Sequence, residues 1–183
     1  MRRLLTVLAG AALVVAGVAA LLLLFTARDD APVSGGPAAA AGPGELQADR
    51  GSRHLPAGEH VPLGGLTDPP TSGAHHPRLP AGEEEPLSPD EILHALELGD
   101  VILFYDAPRP PAALRALQRD VSGPFDAEVA AAGQQVILAR RNGLGSERAV
   151  TAAAWRRLLR AEDASDPRLR AFAEAWIGRG VRG

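Results

Sequence analysis

The stretch Ser88–Tyr105, SPDEILHALELGDVILFY, decides the fold, because it writes a capped helix, a glycine stop and an apolar strand in succession. Ser88 stands where an N-cap belongs, Pro89 takes the first helical position, and Glu91, three residues on, can close a capping box. Gly99 is the matching stop. Between them Ile92, Leu93 and Leu96 form a buried stripe, while Glu91, His94 and Glu97 recur every three residues on another face. The spacing therefore predicts that His94 and the carboxylates look the same way. VILFY, residues 101–105, is branched and aromatic and bounded by Asp100 and the Asp106–Pro111 turn, so it reads as a strand at the centre of a sheet.

Downstream, Pro110 and Pro111 open a helix through Leu114 and Leu117 to about Val121, ended by Gly123 and Pro124. Gln135–Arg140 reads as a second strand, Asn142-Gly143 as a hairpin-like turn, and Arg148–Thr151 as a short third strand. Ala153–Ala161 and Asp166–Ile177 read as closing helices. The last has Asp166 as cap, Pro167 at the first position, Leu169, Phe172, Ala173, Trp176 and Ile177 on one stripe, and Gly178 as stop. The expectation is an α+β domain over residues 54–180, with a roughly three-stranded sheet packed by four helices.

Upstream, His54 to Glu85 is rich in proline and glycine and lacks periodicity, so it reads as loop laid over the domain. Pro69 and Pro70 favour a polyproline-like approach, Thr71, Ser72 and Gly73 supply turn chemistry, and Pro77 keeps His76 out of the α region. This places His75 and His76 on a stiff loop. The acidic run Glu83, Glu84 and Glu85 reads as solvated rather than as a ligand set. Residues 26–53 contain few large apolar side chains and are punctuated by Gly and Pro, which predicts a disordered tether. Leu4 to Phe25 carries no charge and follows Arg2 and Arg3. As a helix it would extend about 33 Å, enough for a hydrocarbon core of about 30 Å. It also outlasts the roughly 7–15 apolar residues of a signal peptide. The expectation is an uncleaved single-pass anchor at 4–25, with residues 1–3 cytoplasmic by the positive-inside rule and the C-terminal domain extracytoplasmic.

Composition narrows the chemistry. The chain has 183 residues, room for one modest core, and its 46% hydrophobic content includes only 4% aromatics, so Ala, Leu and Val carry the interior. All 19 basic residues are Arg, and the formal net charge of -3 argues against nucleic acid, which calls for a basic face. With Cys at 0, disulfides, thiolate ligands, thiol redox chemistry and a lipid-modified cysteine are all excluded. A metal site must use nitrogen and oxygen donors.

All five histidines fall between His54 and His94. PPTSGAHHP, preceded by GEHVPLGG around His60 and followed by ILHALELGDVILFY, resembles a bacterial membrane-anchored family of domains of unknown function. That family is marked by PPTSG-x-H and then HALE-x-G, an apolar strand and a closing two-helix tail. The resemblance runs from about His54 to Arg179. It implies that His60, Pro69, Pro70, Thr71, Ser72, Gly73, His75, His94, Glu97 and Gly99 occupy the family's marked positions. Ala74 stands where a proline is usual, and Leu98 where the family pattern has a second helical histidine. The family implies no activity.

The chemistry these residues suggest is a His/carboxylate metal site. His75 and His94, with His60 or His76, would be the nitrogen donors, and Glu97 or Glu91 the oxygen donor or orienting partner. Cu or Zn is the natural ion for such a set. With Leu98 unable to ligate, the helix lacks the pair of imidazoles one turn apart that the family pattern would supply. The leading expectation is a non-catalytic, metal-binding accessory or sensor module of the cell envelope. Against it stand a metal-free module docking an envelope protein through the PPTSG loop and a metal-dependent hydrolase with Glu97 as general base. A plainer reading has His94 hydrogen-bonded to the Thr71-Ser72 loop, fastening that loop to the sheet, with Glu97 accepting from backbone. Ser72 lacks the G-x-S-x-G setting of a nucleophile.

Overall fold

The computed structural model describes residues 42–59, 64 and 66–181. The anchor expected at 4–25 and the first part of the tether lie outside those residues, as does His60. Among the described residues no helix is long and apolar enough to cross a membrane.

The domain is α+β, built on a five-stranded mixed sheet. The strands are β1 (Glu45–Leu46), β2 (Val101–Tyr105), β3 (Val136–Arg140), β4 (Val150–Ala154) and β5 (Arg157–Ala161), in the order β1-β5-β4-β2-β3. The helices are α1 (Pro89–Leu98), α2 (Ala112–Val121), α3 (Ala127–Ala131) and α4 (Pro167–Trp176). VILFY is an interior strand, fourth of the five rather than the middle one, parallel to β3 on one side and antiparallel to β4 on the other. The parallel pairing follows from the crossover through α2 and α3, since parallel neighbours need a long connection.

Helices cover both faces of the sheet. Val101, Leu103 and Tyr105 pack with Leu114 of α2 and with Leu169 and Phe172 of α4 on one side. Ile102 and Phe104 pack with Ile92 and Leu96 of α1 and Ala130 of α3 on the other. This double burial explains why β2 is an unbroken apolar run with all five residues buried.

It also explains the main correction to the sequence reading. Ala153–Ala161 is not a helix. Its residues belong to the β4–β5 hairpin, which turns at Trp155-Arg156 with Arg156 at φ 57°. VTAAA and RLLRA lack the alternation of a half-exposed strand because both faces are covered, and Ala, Leu and Arg are good helix formers, so local preference pointed to helix while strand pairing prevailed. The four helices are reached instead with α3, where Asp126 caps a five-residue helix by accepting from Glu128 N and Val129 N. Nor does Asn142-Gly143 turn a hairpin: β3 and β4 flank β2 from opposite sides, and the turn is held by Asp106, whose Oδ2 accepts from Gly143 N at 2.9 Å.

The domain begins earlier than residue 54. Residues 42–53 form an arm laid on the body, with Glu45 and Leu46 paired to β5 and Trp176 Nε1 donating to Pro43 O at 2.9 Å. Backbone pairing orders this stretch despite its lack of large apolar side chains, which composition cannot report. The acidic run is likewise engaged. Glu84 N donates to Leu138 O at 2.7 Å, its carboxylate pairs with Arg115, and Glu83 accepts from Gln118 Nε2, so the run fastens a loop against β3 and α2.

Candidate functional site

Helix α1 places the first two site residues. Ser88 and Glu91 close the predicted capping box: Ser88 N donates to Glu91 Oε2 at 2.9 Å and Glu91 N to Ser88 Oγ at 3.3 Å. Glu91 is thereby committed to the cap and stands outside the cluster described below. Ile92, Leu93, Ala95 and Leu96 are buried against the sheet and loop, leaving His94 and Glu97 one turn apart on a partly exposed face. Gly99 ends the helix at φ 120°, where an added Cβ would lie 2.9 Å from the Gly178 carbonyl carbon.

The PPTSG loop supplies the third residue. Pro69, Pro70, Thr71, Ser72 and Gly73 are buried. Ser72 Oγ donates to Ala48 O and accepts from Arg50 N, both at 3.0 Å, so the loop grips the arm. Gly73 sits at φ 148° with its N–H on Gly51 O, and a Cβ there would approach Leu66 to 3.0 Å, so the position calls for glycine. The loop then turns His75 inward to full burial, and its Nδ1 lies 2.9 Å from Gly73 O. A carbonyl oxygen only accepts, so Nδ1 carries a proton and Nε2 is the ring atom turned into the site.

The fourth residue is His54, on the arm. Its backbone bridges to His75 in parallel sense, with His75 N donating to Arg53 O at 3.1 Å and Leu55 N to His75 O at 2.8 Å. This pairing brings the two imidazoles together. The ring centroids of His54, His75 and His94 lie 5.1 to 5.5 Å apart at steep mutual angles, so the rings converge by their nitrogen edges rather than stacking.

All three rings meet one carboxylate oxygen. Glu97 Oε2 lies 2.8 Å from His54 Nε2, 3.1 Å from His75 Nε2 and 3.3 Å from His94 Nδ1, and His75 Nε2 lies 3.4 Å from His94 Nδ1. One donor atom from each of His54, His75, His94 and Glu97 falls within 4.8 Å of all the others. Tetrahedral coordination with bonds of about 2.0–2.1 Å has donor–donor edges of about 3.3 Å, and the three edges at Glu97 and the one between His75 and His94 are of that size. A carboxylate oxygen facing a nitrogen lone pair at 3.1 Å is repulsive unless a proton or a cation lies between them.

Electrostatics suit a cation. Burial lowers the His94 imidazole below its ordinary value, and this outweighs the opposing hydrogen bond to Glu97. For Glu97, burial pushes the carboxyl up. The hydrogen bond to His54 and the neighbouring imidazoles more than reverse that and leave it lowered. A neutral imidazole and an ionised carboxylate are the forms that bind metals.

Of the residues expected in the site, His75, His94 and Glu97 come together. His76 is drawn elsewhere, its backbone N–H on Asp90 Oδ1 at 2.7 Å and its Nε2 2.9 Å from Glu59 O. His54 was not among the expected donors. The available signal was its place in the same histidine-rich stretch, together with the vacancy that Leu98 leaves for a third imidazole.

The family described as Protein of unknown function (DUF3105) matches residues 63–181. No curated protein and no solved structure matches the chain.

Proposed function

We propose that this chain, which belongs to the DUF3105 family, is a metal-binding module whose ion is held by His54, His75, His94 and Glu97. The observation that carries the reading is the convergence of three imidazole nitrogens on Glu97 Oε2, with His75 oriented through Nδ1 by Gly73 O. Orientation of a ligand imidazole by a carbonyl on its other nitrogen is a recurrent feature of metal sites. Three imidazoles and a carboxylate suit Zn²⁺ or Cu²⁺ rather than Mg²⁺ or Ca²⁺, which take all-oxygen shells. The ion would cross-link the arm, the PPTSG loop and α1, which supports a binding or sensing module. The alternative of a loop that docks a partner is less well supported, because the Pro70, Thr71, Ser72 and Gly73 positions are buried within the domain.

The apolar run at 4–25 behind Arg2 and Arg3 supports an extension of this proposal, in which the module is held outside the cell on a single membrane anchor. Fractionation of cells expressing the chain with and without residues 1–30 checks the anchor. For the metal, the chain is dialysed against Zn²⁺ and against Cu²⁺ and the bound ion counted. Near-stoichiometric uptake that His94→Ala and Glu97→Ala each reduce at least tenfold in affinity supports the site, and uptake unchanged in both variants rejects it.

A further inference from the structure

The four donors come from three segments, and one of them is far more exposed than the others. His75 and His94 are 0% and 12% exposed in their side chains and Glu97 15%, all on the PPTSG loop and α1, whereas His54 is 48% exposed. His54 sits on the arm of residues 42–55, most of whose side chains face solvent. Around the site, that arm is held by polar contacts, among them the Asp49–Arg156 ion pair at 3.1 Å and His54 Nε2 against Glu97 Oε2 at 2.8 Å. Gly73 N donates to Gly51 O, His75 N to Arg53 O, Leu55 N to His75 O, and Ser72 Oγ exchanges bonds with Ala48 and Arg50. Of the arm residues around His54, Leu55 is the apolar one that is buried. Segments with few buried apolar contacts and exposed backbone bonds are the first to open.

Resting on the metal-binding reading, we infer that the ion regulates the arm: metal binding through His54 fastens residues 48–55 to the domain, and metal loss lets them open. His54 is the one donor whose side chain is largely exposed, so it can leave the ion without disturbing helix α1. Tighter binding to the closed form shifts the arm toward closure, and by linkage a closed arm raises metal affinity by the same factor.

Trypsin reads the state directly, because Arg50 and Arg53 are exposed within the arm and neither is followed by proline. Cleavage after the exposed Arg148, in the β3–β4 loop, serves as the internal control. The full chain is digested with and without saturating Zn²⁺, and zinc bound to each sample is counted. The expected result is that zinc slows cleavage after Arg50 and Arg53 about 5- to 10-fold, within the usual range for coupled sites, and leaves cleavage after Arg148 unchanged. In His54→Ala, zinc still binds with reduced affinity through the other three donors and gives no protection of the arm. Zinc binding to the wild-type chain without protection, or protection that persists in His54→Ala, overturns the coupling while leaving the metal site standing. Failure of zinc to bind the wild-type chain overturns both.

Discussion

His54 Nε2 and Glu97 Oε2 meet at 2.8 Å across 43 residues of chain, and this contact joins the arm to helix α1 at the centre of the histidine cluster. His75 and His94 reach the same oxygen from the PPTSG loop and from the preceding helical turn. Metal affinity, loop geometry and stability should therefore respond together when the contact is changed.

Metal should stabilise the fold. A ligand that binds only the native state at about 100 times its dissociation constant adds about 2.7 kcal/mol. Thermal unfolding followed by circular dichroism should show a zinc-dependent rise of several degrees, reversed by a chelator. Glu97→Gln should lose most of that rise, because an amide oxygen lacks the charge that balances the ion.

Gly73→Ala should misplace His75. The substitution meets Leu66 at 3.0 Å and imposes φ 148° on a residue with a Cβ, an unfavourable combination that costs on the order of 1–3 kcal/mol. The stability loss is read by denaturant titration. Zinc affinity, measured separately by competition, should fall as well, whereas the distant helix-cap variant Asp166→Ala, which loses its bond to Arg168 N, should cost about 1 kcal/mol and leave zinc affinity unchanged.

Asp100 should make the metal-free domain lose stability as pH rises. Its side chain is fully buried, Oδ1 accepts from Gln135 N at 2.8 Å, and Oδ2 has no partner. Burial pushes the carboxyl up to about 7 against the opposing Gln135 N–H. The native state therefore holds the proton between roughly pH 4 and 7 while the unfolded chain releases it, so this contribution is full below the ordinary carboxylate value and is lost as pH rises through about 7. Asp100→Asn should gain on the wild type by on the order of 1–4 kcal/mol between pH 4 and pH 8. A constant difference across that range would contradict the assignment.

The parts of this molecule written locally were legible in its sequence. The Ser88 cap, the Gly99 stop, the Asp166 cap and the shared face of His94 and Glu97 rest on contacts within a few residues, and VILFY is marked by its branched and aromatic composition. The parts set by long-range pairing were not. RLLRA is a strand only because β4 lies beside it, and residues 45–46 are ordered only because β5 offers an edge. His54 reaches the site through a bridge to His75, a pairing with no local signature. The histidine-rich stretch marked the region in which the cluster lies, and the strand bridge decided which histidine completes it.

One ion should bind His54, His75, His94 and Glu97 together, and X-ray absorption at the zinc edge of the loaded full-length chain reads its ligands. The spectrum should show three imidazole nitrogens and a carboxylate oxygen at about 2.0–2.1 Å, with one imidazole signal missing in His54→Ala. A shell with fewer than two imidazoles, or one that His54→Ala and His94→Ala both leave unchanged, would contradict it.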